Sequence, residues 1–297
     1  MTDFRVPKPL VAPPATEREL VSCLRAHGNT PHGEFGVLQA ALDVAAFARI
    51  QTNEPFPDFD GIIDQLNELA RDAGDWVAVY DSMPPAEEQI EWLQQVVVAR
   101  GGFLGATQNY DASENADIVS VVENRRGLPV SLGVIYIHLA RSCGFEVEGL
   151  NFPGHFLLRM KSEQGAAIFD PFNSAQILEP KDLRSTLKHF HGEAAEMDLS
   201  FTRAVGDRDV LFRMQNNLKI RALRESRLVD AVLILERMLL VNPGNGVLWQ
   251  EAGLTHQRLG NLRAAVLAFE NAVETMQEPA LSVRVQTLLD EARRQLN

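Results

Sequence analysis

The spacing of apolar residues changes period twice along the chain. From Glu17 to about Arg100 they recur at i, i+3, i+4 and i+7, the stripe of amphipathic helices. This predicts one helix opening after Thr16, with Glu19 three residues on completing a capping box, and others over 34–49, 59–73 and 86–100. Residues 1–14 hold four prolines and read as an extended arm. Residues 102–129 are loop-rich, with one short helix near 114–124. Pro129, an apolar body and Gly144 bracket a further helix. The period then falls to two. EVEGLNF and HFLLRM alternate, AAIFDP is a short apolar run, and turns fall at Pro153-Gly154 and Glu163–Gly165, which predicts three antiparallel strands. From Val210 the helical period returns.

The final stretch repeats itself. Ala231, Leu235, Met238 and Pro243 are followed 34 residues later by Ala265, Phe269, Ala272 and Gln277. Trp249, Gly253, Gly260, Ala265, Phe269 and Ala272 stand at the offsets of a tetratricopeptide repeat. Its small residues let stacked helices approach closely. The earlier copy lacks the aromatic and the glycine. Residues 280–296 predict a closing helix with a polar outer face.

Composition adds boundaries. The 297 residues, 45% of them hydrophobic, suffice for one large or two modest domains. Residues 1–205 hold 16 Lys/Arg against 29 Asp/Glu, a net −13, whereas residues 206–297 carry +1. That change places a domain boundary near Gly206. The expected division is a helical region over 1–85 packed on the core, the core at 86–205 and the repeats at 206–297. An overall charge of −12 argues against nucleic acid as a partner. Cys23 and Cys143 are too few for a disulfide framework, and no run of apolar residues is long enough to span a membrane. A soluble cytoplasmic protein is expected. No phosphate-binding glycine motif occurs, and His189/His191 lack further ligands at metal spacing, so no cofactor and no metal are expected.

Three motifs carry candidate chemistry: GLPVSLGVIY, NFPGHFLLR and IFDPF. Ser131 falls at a helix start, where unpaired N–H groups and the positive dipole end favour an anionic nucleophile. His155 opens a strand and Asp170 precedes a proline. Nucleophile, base and orienting acid is one reading. A helix dipole alone does not ionise an alcohol, and VSL is not the strained G-x-S-x-G elbow. In the plainer reading Ser131 begins or caps its helix, His155 holds Asp170, and Asp170 shapes a turn. Asn124, Arg126 and Asn151 flank these motifs as candidate binding residues, with Arg126 either in a structural ion pair with a nearby acid or as a grip for a carboxylate, and Asn151 bonding its loop or serving as an oxyanion donor. Cys143 lies at the helix end that disfavours a thiolate and reads as structural. Arg213, Lys219, Arg221, Arg224 and Arg227 form either a solvated basic face or a match for the acidic front part.

NRRGLPVSLGVIYIHLARSCGF, NFPGHFLLR, FDPFN and RMQNNLK together resemble the bacterial SirB-type family. The resemblance implies an α+β, helix-rich fold: a transglutaminase-like (papain-like) core with a small antiparallel sheet, then a helical tetratricopeptide tail. It puts Ser131 where such cores carry the nucleophilic cysteine, with His155 and Asp170 as its histidine and acid. The function implied is a non-catalytic scaffold that binds a protein or peptide through its groove and repeats. The alternative is a serine-nucleophile hydrolase or acyltransferase using Ser131, His155 and Asp170. Neither nucleic acid nor membrane is expected as a partner, and the oligomeric state is left open.

Overall fold

The computed structural model describes residues 7–78 and 82–296. Its helices are α1 (Glu17–Asn29), α2 (Val37–Thr52), α3 (Phe59–Val77), α4 (Ala86–Gln94), α5 (Ile118–Asn124), α6 (Pro129–Ser142), α7 (Pro180–His191), α8 (Asp207–Arg224), α9 (Leu228–Val241), α10 (Gly246–Arg258), α11 (Leu262–Thr275) and α12 (Pro279–Leu296). Its strands are β1 (Leu104–Gly105), β2 (Arg126–Gly127), β3 (Glu146–Leu150), β4 (Leu157–Ser162), β5 (Gly165–Asp170), β6 (Gln176–Leu178) and β7 (Ala204–Val205). The chain divides into two compact units. Of the described residues, the first comprises those within 7–13, 31–45 and 56–214, the second those within 14–30, 46–55 and 215–296. Helices α2 and α8 begin in the first and end in the second.

In the first unit, β6-β5-β4-β3-β7 form an antiparallel sheet. The three central strands are those expected from the period-two pattern. Helix α6 is buried along nearly its whole length, from Pro129 to Arg141. A helix apolar all round belongs inside a core. Two glycines decide how α6 meets the sheet. A Cβ on Gly133 would fall on the Phe156 ring, and one on Gly149 would stand 2.9 Å from its Cζ. The ring therefore lies between helix and strand because neither offers a side chain there.

Elsewhere the pattern was overwritten. The helix expected over 86–100 is α-helical only to Gln94, and residues 95–100 continue as a π-helix. Strands β1 and β2 pair in parallel across the stretch read as loop. Helix α7 and strands β6 and β7 were not expected. Leu183 and Leu187 on α7 close a cluster with Leu150, Phe152 and Leu157. Of the proline-rich arm, residues 1–6 lie outside the described residues. The remainder is extended and bracketed by two amide side chains. Asn67 donates to Leu10 O and accepts from its N–H, both at 2.9 Å, and Gln39 does the same at Val11.

The second unit stacks α10, α11 and α12 in the manner of the repeat. Phe269, Ala265 and Ala272 pack with Val285 and Leu289 of α12. A Cβ on Gly253 would lie 2.5 Å from the Phe269 ring, which is why that offset holds glycine. Helix α1, grouped by sequence with the N-terminal region, packs instead on α9 in this unit. Gly28 makes this possible, since a Cβ there would strike the backbone of Val241. The basic cluster around α8 is a solvated face only in part, with Arg224 and Arg227 exposed. Lys219 and Arg221 are buried, with Lys219 paired to Glu251 and Arg221 bonded to Asn217.

Candidate functional site

The register of the sheet sets the geometry. Leu158 on β4 pairs with Phe169 on β5. His155, two residues before β4, and Asp170, the last residue of β5, therefore share one end of the sheet. His155 Nε2 stands 2.9 Å from Asp170 Oδ2. This is a close approach without the alignment of a good hydrogen bond, because Nε2 gains no hydrogen-bond partner among the described residues. Asp170 is held more firmly by its own turn: Oδ1 accepts from the Phe172 N–H at 2.9 Å, and Oδ2 from Asn173 Nδ2 at 2.6 Å.

Two aromatics enclose the imidazole. Phe190, on the last turn of α7, stacks on it with ring centroids 5.9 Å apart, and Phe172 meets it edge-on at 6.3 Å. Gly154 leaves room for Phe190, whose Cγ would be 2.6 Å from a Cβ at that position. His155 is buried in consequence. From α8, Arg213 donates to the carbonyls of Phe152 at 3.2 Å and His155 at 2.5 Å, with its guanidinium over the Phe156 ring. Burial lowers its pKa. Sequence reasoning missed Phe172, Phe190 and Asn173. It read Arg213 only as one member of a basic cluster; its place in RMQNNLK was the available signal.

Ser131 is the third residue of α6 and is completely enclosed, at 0% exposure. Its hydroxyl has no hydrogen-bond partner among the described residues, so it bonds neither His155 nor the helix end. The start of α6 is formed by Leu128 and Pro129 without a side-chain cap. Ser131 lies in the first turn of the helix and does not cap it. Tyr136, farther along α6, is also buried with an unpartnered hydroxyl. Burial, and then the charge of Asp170, raises its pKa. Cys143 is buried, which pushes its thiol up to about 12 against a smaller opposing hydrogen bond to Trp92.

The three binding candidates separate. Asn124 and Arg126 line a cleft of about 710 Å³ together with Phe172 and Asn173 of the Asp170 turn. Asn151 is exposed on the loop after β3, and its backbone N–H is spent on Arg203 O at 3.0 Å.

Residues 60–216 match the Transglutaminase-like superfamily and residues 218–296 match a tetratricopeptide repeat. A UPF0162 protein of Xylella fastidiosa is 31% identical over 76% of this chain and 81% of its own length. The chain belongs to the UPF0162, SirB-type family of transglutaminase-like proteins. Further bacterial relatives extend the comparison. The UPF0162 protein of Vibrio cholerae is 29% identical over 58% of this chain and 64% of its own length, and the Escherichia coli protein YchA is 24% identical over 79% and 86%. Among solved structures, menin in its crystal structure shares 10% identity over 90% of this chain and 71% of its own, with a TM-score of 0.41, too distant to carry an argument. The family assignment agrees with the helix-rich α+β architecture, its small antiparallel sheet and its repeat tail. Among the described residues no helix is long and apolar enough to cross a membrane.

Proposed function

We propose that the transglutaminase-like core, assigned to residues 86–205, is a non-catalytic scaffold that binds a protein or peptide, with the repeats of 206–297 as a second interaction surface in the cytoplasm. The state of the Ser131 hydroxyl carries this reading. It is enclosed and bonded to no described residue, at the position assigned here to the family's nucleophilic thiol. An alcohol attacks only with a base in hydrogen-bond reach to take its proton. On this reading the close approach of His155 to Asp170 is a feature of the scaffold, and Arg213 holds the loop before β4 through the carbonyls of Phe152 and His155. Tetratricopeptide arrays present concave surfaces suited to protein partners.

The competing reading is a hydrolase or acyltransferase with Ser131 as nucleophile, His155 as base and Asp170 as orienter. The 2.9 Å His155–Asp170 approach favours it; the unbonded, buried hydroxyl opposes it. A fluorophosphonate probe applied to the wild-type protein and to Ser131→Ala separates the two. We expect no labelling of either. Labelling of the wild type that disappears in Ser131→Ala would establish the hydrolase instead.

A further inference from the structure

The cleft beside the Asp170 turn is lined largely by polar residues. Its walls divide into scaffold and uncommitted groups. Asn115 is buried and spends its amide on Asn109 O at 2.7 Å, while Asn173 is tied to Asp170. Gly105 lets the floor close, since a Cβ there would lie 2.5 Å from Phe172 O. Over this frame stand Asn109, Glu114, Asn124 and Arg126, all exposed. Arg126 is pre-positioned by backbone alone, with Nη1 donating to Arg125 O at 2.8 Å and Gly102 O at 3.3 Å. No carboxylate among the described residues pairs with it, although residues 1–205 hold almost two acids for each base.

A guanidinium that is oriented but unpaired is a receptor for a carboxylate or phosphate. Glu114 in the same cleft disfavours a polyphosphate or nucleic-acid backbone by like-charge repulsion and accepts hydrogen bonds from N–H groups. Asn109 and Asn124 each offer a donor and an acceptor, the complement of a peptide unit. The protein already uses amides in this way, where Asn67 and Gln39 bracket the extended backbone at Leu10 and Val11.

We propose that this cleft binds an extended peptide bearing a carboxylate, with Arg126 taking the carboxylate and Asn109, Asn124 and Glu114 taking main-chain groups. The proposal rests on the reading of the core as a peptide-binding scaffold. The carboxylate belongs either to a peptide C-terminus or to an Asp or Glu side chain.

The test uses the full-length, isotope-labelled protein and three pools of N-acetylated random hexapeptides: C-terminal acids without Asp or Glu, C-terminal amides with Asp and Glu, and amides without either. The readout is the NMR signals of the Arg126 guanidinium and the Asn109 and Asn124 amides. We expect saturable shifts of these signals with one or both carboxylate pools, and which pool acts identifies the source. Binding should weaken about tenfold in Arg126→Gln, the loss of one charge-assisted pair. Should Arg126→Gln prove unstable, Asn124→Asp places a repelling charge in the cleft without touching the Arg126 carbonyl bonds, and should weaken binding similarly. Equal binding of the neutral amides, or equal competition by inorganic phosphate, overturns the proposal. Peptide-induced shifts confined to other parts of the core overturn the cleft assignment alone. Absence of shifts anywhere overturns the peptide-binding reading with it.

Discussion

The guanidinium of Arg213, on α8, donates to the main-chain oxygen of His155 at 2.5 Å. A residue that sequence pattern ties to the approach to the repeats thus fixes the backbone of the candidate site. Arg213→Ala removes two hydrogen bonds from a charged donor and leaves two carbonyls short of partners. The expected cost is about 1.5–3 kcal/mol, read by chemical denaturation. Faster amide exchange confined to residues near 152–157 should accompany it, and Arg213→Lys should restore only part of the loss because it lacks the fork.

Gly133→Ala should destabilise the core. The added methyl meets the Phe156 ring, which cannot retreat because Gly149 bounds it on the other side. Overpacking of this kind costs about 1–3 kcal/mol. Combining Gly133→Ala with Phe156→Leu should recover part of that cost, so denaturation midpoints that simply add would contradict the sandwiched geometry.

Arg141 and Asp207 form a buried pair with two contacts, at 2.6 and 2.9 Å, and Arg141 also reaches Val147 O. Removing one partner strands a buried charge. Arg141→Met alone should cost about 3–5 kcal/mol, whereas Arg141→Met with Asp207→Leu should cost much less. A double-mutant cycle in urea measures the difference.

Gly253→Ala tests the repeat. Its methyl would lie 2.5 Å from Phe269 in the α10–α11 stack. Loss of helical signal at lower temperature, relieved in part by Phe269→Leu, is the expected result. An unchanged melting curve would mean that the offset does not require glycine.

The elements that sequence made legible share one property: their own side chains decide them. The period-two run yields β3, β4 and β5, and Pro129 with Gly144 brackets α6, because local pattern and burial agree there. The His155–Asp170 approach was legible too, as two motifs at the ends of neighbouring strands. What was hidden depends on partners distant in sequence. Phe190 lies in a stretch for which the pattern predicts no helix, and its seat over His155 depends on Gly154. Gln95–Arg100 reads as a continuation of the α-helix but winds as a π-helix. Lys219 reads as surface until Glu251 meets it 32 positions away. The state of the Ser131 hydroxyl could not be read either, since serine at a helix start serves a cap, a nucleophile or a buried filler equally well.

His138 gives the fold a defined response to acid. It is buried on α6 and Nε2 has no partner among the described residues. Burial, and then the neighbouring Arg141 charge, lowers its pKa from 6.5 to about 4. The unfolded chain therefore takes up this proton first. The neutral imidazole's contribution is fully present above about pH 6.5 and declines as pH falls toward about 4, by up to about 1.4 kcal/mol per pH unit. Carboxylates add their own acid sensitivity, so the informative quantity is a difference. The stability of His138→Gln relative to wild type should rise progressively across pH 6.5 to 4 and stay level above it. A difference that is flat through that window would mean that His138 is protonated in the folded protein, with a counter-charge or water reaching Nε2.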